Sequence, residues 1–180
     1  MIYLDNAATG GFKPYAAKEV AVNVIKNLNV NPGRSGHRLS ETGGKIVFNT
    51  RKALCEFFGG YSAERTVFTK NCTEALNLAI LGVLHDGDEV VTTCLEHNSV
   101  LRPLDFLSKT RNVHYHVAFP EKSAFSHKNT IISYSDIRKF LTKKTRLVVV
   151  NRASNVNGSD ADVADIGENL KREFPNALLL

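Results

Sequence analysis

The sequence has no apolar run approaching the ~20 residues that a membrane-crossing helix requires, which removes that class of protein from the expectation. Its first residues, MIYLDNAATGG, lack the basic stretch and long apolar stretch of a secretory leader, so a cytoplasmic protein is expected. Cysteine is scarce. Cys55, Cys72 and Cys94 make an odd number with no CxxC spacing, which fits reduced thiols rather than a disulfide framework or a zinc site. The six histidines form no HExxH or comparable pattern, so no metal is expected. His114 and His116, two apart, share a strand face and nothing more. Internal repeats and low-complexity tracts are absent. So are Walker A and GxGxxG sequences, which argues against a nucleoside triphosphate or a dinucleotide as ligand.

What is present is ordinary globular material. Of 180 residues, 43% are hydrophobic and 23% charged, enough for one domain with a sizeable core. The net charge of +5 is uneven: residues 102–146 carry ten Lys or Arg against three acids, most densely in RKFLTKKTR (Arg138 to Arg146). A basic chain can bind nucleic acid. This run interleaves only Phe140 and contains no RNP, zinc-finger or helix-turn-helix pattern, so a solvated helix end is expected and nucleic acid is not.

Helical and strand periods alternate along the chain. Ala17, Ala21, Val24, Ile25 and Leu28 predict an amphipathic helix over Pro14 to Leu28. A Gly/Asn/Pro-rich loop follows from Asn29 to Arg38. A second helix begins near Ser40, with Ile46, Thr50, Ala53, Leu54 and Phe57 as its inner stripe, and ends at Gly59-Gly60. Strands are predicted at Thr66–Thr69, Glu89–Thr93, Val113–Val117 and Leu147–Val150, with another starting at Ala177. Helices are predicted at Thr73–Leu84, Ser99–Ser108, Asp136–Leu141 and Val163–Glu173, and residues 118–134 read as irregular. This alternation predicts an α/β fold, a three-layer α/β/α arrangement on a mainly parallel sheet. The run LVVV lacks alternation, as a strand buried on both faces should. Two parts are expected: residues 1–40 as an N-terminal segment and helix, and 41–180 as a domain whose sequence stops inside a core strand.

In parallel α/β sheets, ligands sit beyond the carboxyl ends of the strands. Three loops qualify. Thr69-Lys70-Asn71-Cys72-Thr73 leads into a helix whose N-terminus can seat a phosphate, with Thr73 as an added hydroxyl or simply as the N-cap. Cys94 to Ser99 carries His97, which could stack on a flat ring, act as acid or base, or be structural. Asn151 to Gly158 carries Asn155, a hydrogen-bond donor or a turn residue.

Six segments then occur in order: LDNAAT (Leu4 to Thr9), NPGRSGH (Asn31 to His37), TEALNLAI (Thr73 to Ile80), DGDEVVTT (Asp86 to Thr93), EHNSVLRPL (Glu96 to Leu104) and ASNVNG (Ala153 to Gly158). Together they resemble the class V aminotransferase family of fold-type I pyridoxal-phosphate (PLP) enzymes, in the branch of cysteine desulfurases and selenocysteine lyases. The resemblance runs from Ile2 to Leu180. It implies that Thr73 and the backbone N–H of Cys72 hold the cofactor phosphate. It also implies that His97 stacks on the pyridine ring and assists proton transfer, and that Asn155 hydrogen-bonds the phenolic oxygen. Asn6, Ala7, Arg34 and His37 are placed near the substrate entrance. Arg152 departs from a histidine often seen before Ala-Ser-Asn, and Asn157 from a common threonine.

The implied activity converts L-cysteine to L-alanine and an enzyme-bound persulfide, with selenocysteine as an alternative substrate, a homodimer as the intact form and a sulfur-acceptor protein as partner. The resemblance also calls for four groups matched by nothing up to Leu180. These are an aspartate for the pyridinium nitrogen, the Schiff-base lysine, a sulfur-accepting cysteine and an arginine for the substrate carboxylate. Ser126-His127-Lys128 imitates the lysine motif but precedes the Asn155 loop, and none of the three cysteines matches the acceptor. These 180 residues alone are therefore expected to be inactive. Two other readings are another class V PLP transferase and a non-catalytic scaffold or basic interaction module that retains the fold.

Overall fold

The structure, a computed structural model, describes residues 2–121 and 131–180. The chain packs as two compact units, Met1–Phe68 and Thr69–Leu180. Packing thus divides it after Phe68, inside the stretch that the sequence assigns to a single domain. The first unit holds α1 (Tyr15–Asn27), α2 (Arg38–Phe57) and a 3-10 turn at Ala63–Arg65. The second holds, in chain order, α3 (Cys72–Val83), β1 (Glu89–Thr93), α4 (Asn98–Thr110), β2 (His114–Ala118), β3 (Ile131–Ile132), α5 (Tyr134–Arg138), β4 (Thr145–Val148), β5 (Asp160–Ala161), α6 (Val163–Glu173) and β6 (Leu178–Leu179).

In the second unit β2, β1, β4 and β6 lie side by side in that order, and every pair is parallel. Helices flank both faces, as the α/β reading requires. The two faces are visible residue by residue, because successive strand side chains point to opposite sides. Val90, Leu147 and Val149 pack with Ile80 and Leu84 of the α3 segment and Val100, Leu104 and Leu107 of α4. Val91 and Val148 pack instead with Ile137 of α5 and Ile166 and Leu170 of α6. Thus the LVVV run feeds two separate cores. Burying one such side chain contributes roughly 1.5–3 kcal/mol, so the two clusters hold the sheet from both sides.

Several boundaries differ from the sequence-based expectation. Thr66–Thr69 is extended but has no pairing partner among the described residues, and a strand exists only where another backbone completes its ladder. The fifth helix starts at Tyr134 rather than Asp136, because Ser133 and Asp136 form a capping box: Asp136 Oδ2 accepts from Ser133 N–H (3.0 Å) and from its hydroxyl (2.7 Å). Residues 131–132, read as irregular, pair with residues 160–161, which the sequence assigned to no element, as a small second parallel sheet. The basic run begins at the last residue of α5. Its Arg138 pairs with Glu173 at 2.6 Å and Lys139 with Glu121 at 2.9 Å, both on the exposed surface.

In the first unit, Gly59, with a φ of +65° that suits glycine, lets the chain leave α2, and Gly60 N–H donates to Cys55 O at 2.7 Å. The predicted inner stripe of α2 is a correction: Ile46 is 45% and Phe57 81% exposed. Amphipathic spacing marks a face that can be buried, and among the described residues nothing in this unit covers it. Within α2 the buried residues are Ser40 and Gly43; α1 has none.

Candidate cofactor-binding site

At the start of α3, the cap is Asn71 and not Thr73. Asn71 Oδ1 accepts from Glu74 N–H at 2.9 Å, and the Glu74 carboxylate reaches back to Lys70 N–H at 2.7 Å. The spacing Asn-x-x-Glu is a capping signal that was legible in the sequence. Its consequence is chemical. Among the described residues, the N–H groups of Cys72 and Thr73 and the Thr73 hydroxyl make no hydrogen bond. Two free N–H groups, a free hydroxyl and the positive end of a three-turn helix make a receptor for an anion such as a phosphate.

Thr73 O accepts from Asn77 Nδ2 at 2.8 Å, and the same amide reaches Ser99 O on α4 at 3.3 Å. These contacts bring the N-termini of α3 and α4 together. Between them lies a cleft of about 200 Å³ lined by Thr73, Asn77, His97, Asn98, Ser99 and Arg102. Two of the sequence-predicted residues, Thr73 and His97, therefore share one cleft. His97 is the N-cap of α4: its Nδ1 accepts from Ser99 N–H at 3.1 Å and lies 2.8 Å from the Ser99 hydroxyl. With Nδ1 acting as acceptor, the neutral ring carries its proton on Nε2.

The loop before His97 is tied to both neighbouring strands. Cys94 N–H donates to Ala118 O at 3.0 Å. Glu96 Oε1 accepts from the Thr93 hydroxyl at 2.9 Å and from Asn151 N–H at 2.6 Å, while Asn151 Nδ2 returns to Leu95 O at 3.2 Å. Burial pushes the Glu96 carboxyl above the ordinary carboxylate range, opposed by its bonds from Asn151 and Thr93. Burial likewise raises the Cys94 thiol, with the Glu96 and Asp136 charges adding to it and a backbone hydrogen bond opposing, so this half-buried cysteine is a poor nucleophile. Neither Glu96 nor Asn151 stood out in the sequence. An acid beside an apolar strand gives no periodic signal, and its partner lies 55 residues away.

Asn155 lies elsewhere. It is exposed in a turn closed by Ser154 N–H to Ser159 O (2.7 Å) and Gly158 N–H to Ser154 O (2.9 Å), with Gly158 at a φ of +70°. Its side chain makes no hydrogen bond among the described residues, and it does not line the Thr73–His97 cleft. Arg152, just upstream, lines a separate cavity of about 330 Å³ with Asp160 and Asp162.

In the first unit, Asn6 Oδ1 accepts from Gly11 N–H at 3.0 Å and Ala7 sits in the same exposed turn. Arg34 follows Gly33, whose φ is +75°, in the exposed loop before α2. His37 caps α2 as His97 caps α4, its Nδ1 accepting from Ser40 N–H at 3.2 Å. Lys128 lies outside the described residues. Among the described residues, no group of histidine, cysteine and acidic side chains could hold a metal ion, and no helix is long and apolar enough to cross a membrane.

A mainly parallel sheet with helices on both faces, and a helix N-terminus with free donors on the cleft that His97 lines, define an α/β domain of the fold-type I class. The chain belongs to the class-V aminotransferase family, whose model matches residues 2–180. It is 34% identical over 163 residues to a probable cysteine desulfurase of Synechocystis sp., covering 88% of this chain and 37% of that protein. Over 177 residues it is 30% identical to a probable cysteine desulfurase of Borreliella burgdorferi, covering 96% and 40%. The apo cysteine desulfurase of Thermococcus onnurineus NA1 superposes with a TM-score of 0.83 at 30% identity, over 99% of this chain and 42% of that one. A variant of the cystine lyase C-DES, solved with glycine covalently linked to its PLP cofactor, shares the fold (TM-score 0.75, 22% identity, 94% and 43% covered). The chain thus spans about two fifths of the length of the relatives it matches.

Proposed function

We propose that this chain supplies the cofactor-cradling part of a PLP-dependent cysteine desulfurase. The observation that carries the reading is the pair of unpartnered N–H groups at Cys72 and Thr73, with the free Thr73 hydroxyl, on the cleft that His97 also lines. When bound, PLP supplies an electron sink for a pair of electrons released at the α-carbon of an amino acid. Thr73 and Cys72 N–H would hold its phosphate. His97 would cover the ring, with Nε2 as the nitrogen left to hold or pass a proton. Asn155 would donate to the phenolic oxygen; its free amide is available, and joining it to the cleft requires the cofactor to span both loops. Asn6, Ala7, Arg34 and His37 are proposed at the substrate entrance.

The proposed substrate is L-cysteine, giving L-alanine and persulfide sulfur for an acceptor protein. The intact form is proposed as a cytoplasmic homodimer. Selenocysteine is the alternative substrate. By these 180 residues alone we propose no turnover, since none of them matches the lysine, the acceptor cysteine or the substrate arginine of the family pattern.

PLP titration of the chain, followed by equilibrium dialysis, tests the cradle. Non-covalent binding is expected, weakened about tenfold by Thr73→Val, which removes one hydrogen bond to a charged group and keeps the side-chain shape. Equal affinity of the variant, or no PLP binding by the unmodified chain, would overturn the reading. A borohydride-stable PLP adduct mapped to Lys128, or alanine release from cysteine above a protein-free control, would overturn the proposed inactivity.

A further inference from the structure

We propose that Glu96 is a positioning residue which, with Asn151, locks the loop presenting His97 to the end of β4 and so to the loop that leads to Asn155. The inference rests on the reading of His97 and Asn155 as cofactor-contacting residues and extends it to the groups that hold them. Residues 94–96 are short of freedom in every direction. Cys94 N–H is taken by Ala118 O of β2, Leu95 N–H by the Thr93 hydroxyl (3.3 Å) and Glu96 N–H by Thr93 O (3.4 Å). Across the sheet, Glu96 Oε1 accepts from Asn151 N–H at 2.6 Å, and Asn151 Nδ2 donates to Leu95 O at 3.2 Å in return. The ends of three adjacent strands, β2, β1 and β4, are therefore joined through three consecutive residues. His97 is the next residue, and its own ring is pinned by Ser99.

The placement is costly unless it serves something. A carboxylate drawn out of water needs donors, and here the donors are a buried hydroxyl (Thr93, fully buried) and a main-chain N–H just past the last residues of β4. An apolar side chain at position 96 would fill the space but leave both donors unpaired, so the carboxylate satisfies them and sets the spacing of the two loops. Such links between site-bearing loops matter because a shift of about 1 Å in a catalytic group can cost roughly a hundredfold in rate.

The test compares Glu96→Ala, Glu96→Gln and Asn151→Ala in the full chain, with circular dichroism to confirm folding. Amide hydrogen exchange at Asn151 and the imidazole NMR signals of His97 read the clamp directly, and PLP affinity reads its effect. In Glu96→Ala, exchange at Asn151 is expected to rise about tenfold or more, the His97 signals to shift, and PLP affinity to fall about tenfold. Glu96→Gln keeps an oxygen acceptor and is expected to restore all three to within about twofold. Should Glu96→Ala not fold, Asn151→Ala carries the test, because it cuts only the return bond to Leu95 and is expected to shift His97. Unchanged exchange and His97 signals in a folded Glu96→Ala, an unshifted His97 in Asn151→Ala, or no rescue by Glu96→Gln would overturn the proposal. If the unmodified chain fails to bind PLP, the functional reading falls, while the exchange and imidazole measurements still decide the clamp.

Discussion

His37 and His97 do the same local task in the two units: each precedes a helix and offers Nδ1 to a backbone N–H of the first turn. Histidine is not among the usual N-cap residues, so sequence rules for helix starts pass over both. At position 97 the rules place the start at Ser99, one residue late. The cap also assigns the ring's tautomer, which no reading of residue types could do. Glu96 makes the complementary point, since its neighbours in the chain do not reveal that it is buried. Its folded-state affinity for a proton is raised above that of the unfolded chain. The sign follows from linkage: at pH values above about 4.5 the native state binds more protons through this group than the unfolded state does. Its contribution to stability is therefore complete below that pH and is lost as pH rises through the raised value. Urea denaturation across pH 4–8 is expected to show a downward slope in the unmodified chain that is shallower in Glu96→Gln; parallel slopes would contradict this.

At the scale of elements, legibility tracked local chemistry. The strand Glu89–Thr93 and the helix Val163–Glu173 have the boundaries that periodicity predicts, because their apolar spacing and turn residues agree with their packing. Thr66–Thr69 has the composition of a strand and lacks a partner among the described residues, and β-structure is decided by pairing rather than propensity. The site element α3 depends on its cap. Asn71→Ala is expected to destabilise the second unit by about 1 kcal/mol and, by freeing Glu74 N–H, to let the first turn fray. Thermal denaturation measures the first effect and amide exchange at residues 72–75 the second. Loss of stability with unaltered exchange in that turn would place the effect elsewhere.

For the whole molecule, the second unit has two apolar clusters on opposite faces of its sheet, while the first buries very little of its own apolar surface. Leu104→Ala, in the cluster beneath α4, is expected to cost about 2–5 kcal/mol in denaturant unfolding, as deletions from a packed interior do. Phe57→Ser, at a side chain 81% exposed, is expected to leave unfolding nearly unchanged, within about 0.5 kcal/mol. Exposed Phe57, Phe58 and Tyr61 of the first unit and the exposed β6 leucines of the second predict self-association. Light scattering at rising concentration should show mass above that of one chain, and Phe57→Ser together with Phe58→Ser should reduce it. A monomer at all concentrations would count against this.

By itself the sequence determined the class of fold, the order of its six helices and of the four strands of the main sheet, and the family, because these follow from periodicity and from short motifs that are contiguous in the chain. It also singled out Thr73 and His97, which the tertiary structure brings to one cleft, and Asn155, which it leaves on a separate turn. The Asn71-x-x-Glu74 spacing offered the cap of α3, but only the structure chose Asn71 over Thr73 and, among the described residues, left the Cys72 and Thr73 donors free. Tertiary structure alone placed the Glu96 carboxylate against Asn151, 55 positions along the chain. The physical reason is that a hydrogen bond across a sheet is set by which strands become neighbours. That order, β2-β1-β4-β6, is a property of packing and is written in no local stretch of residues.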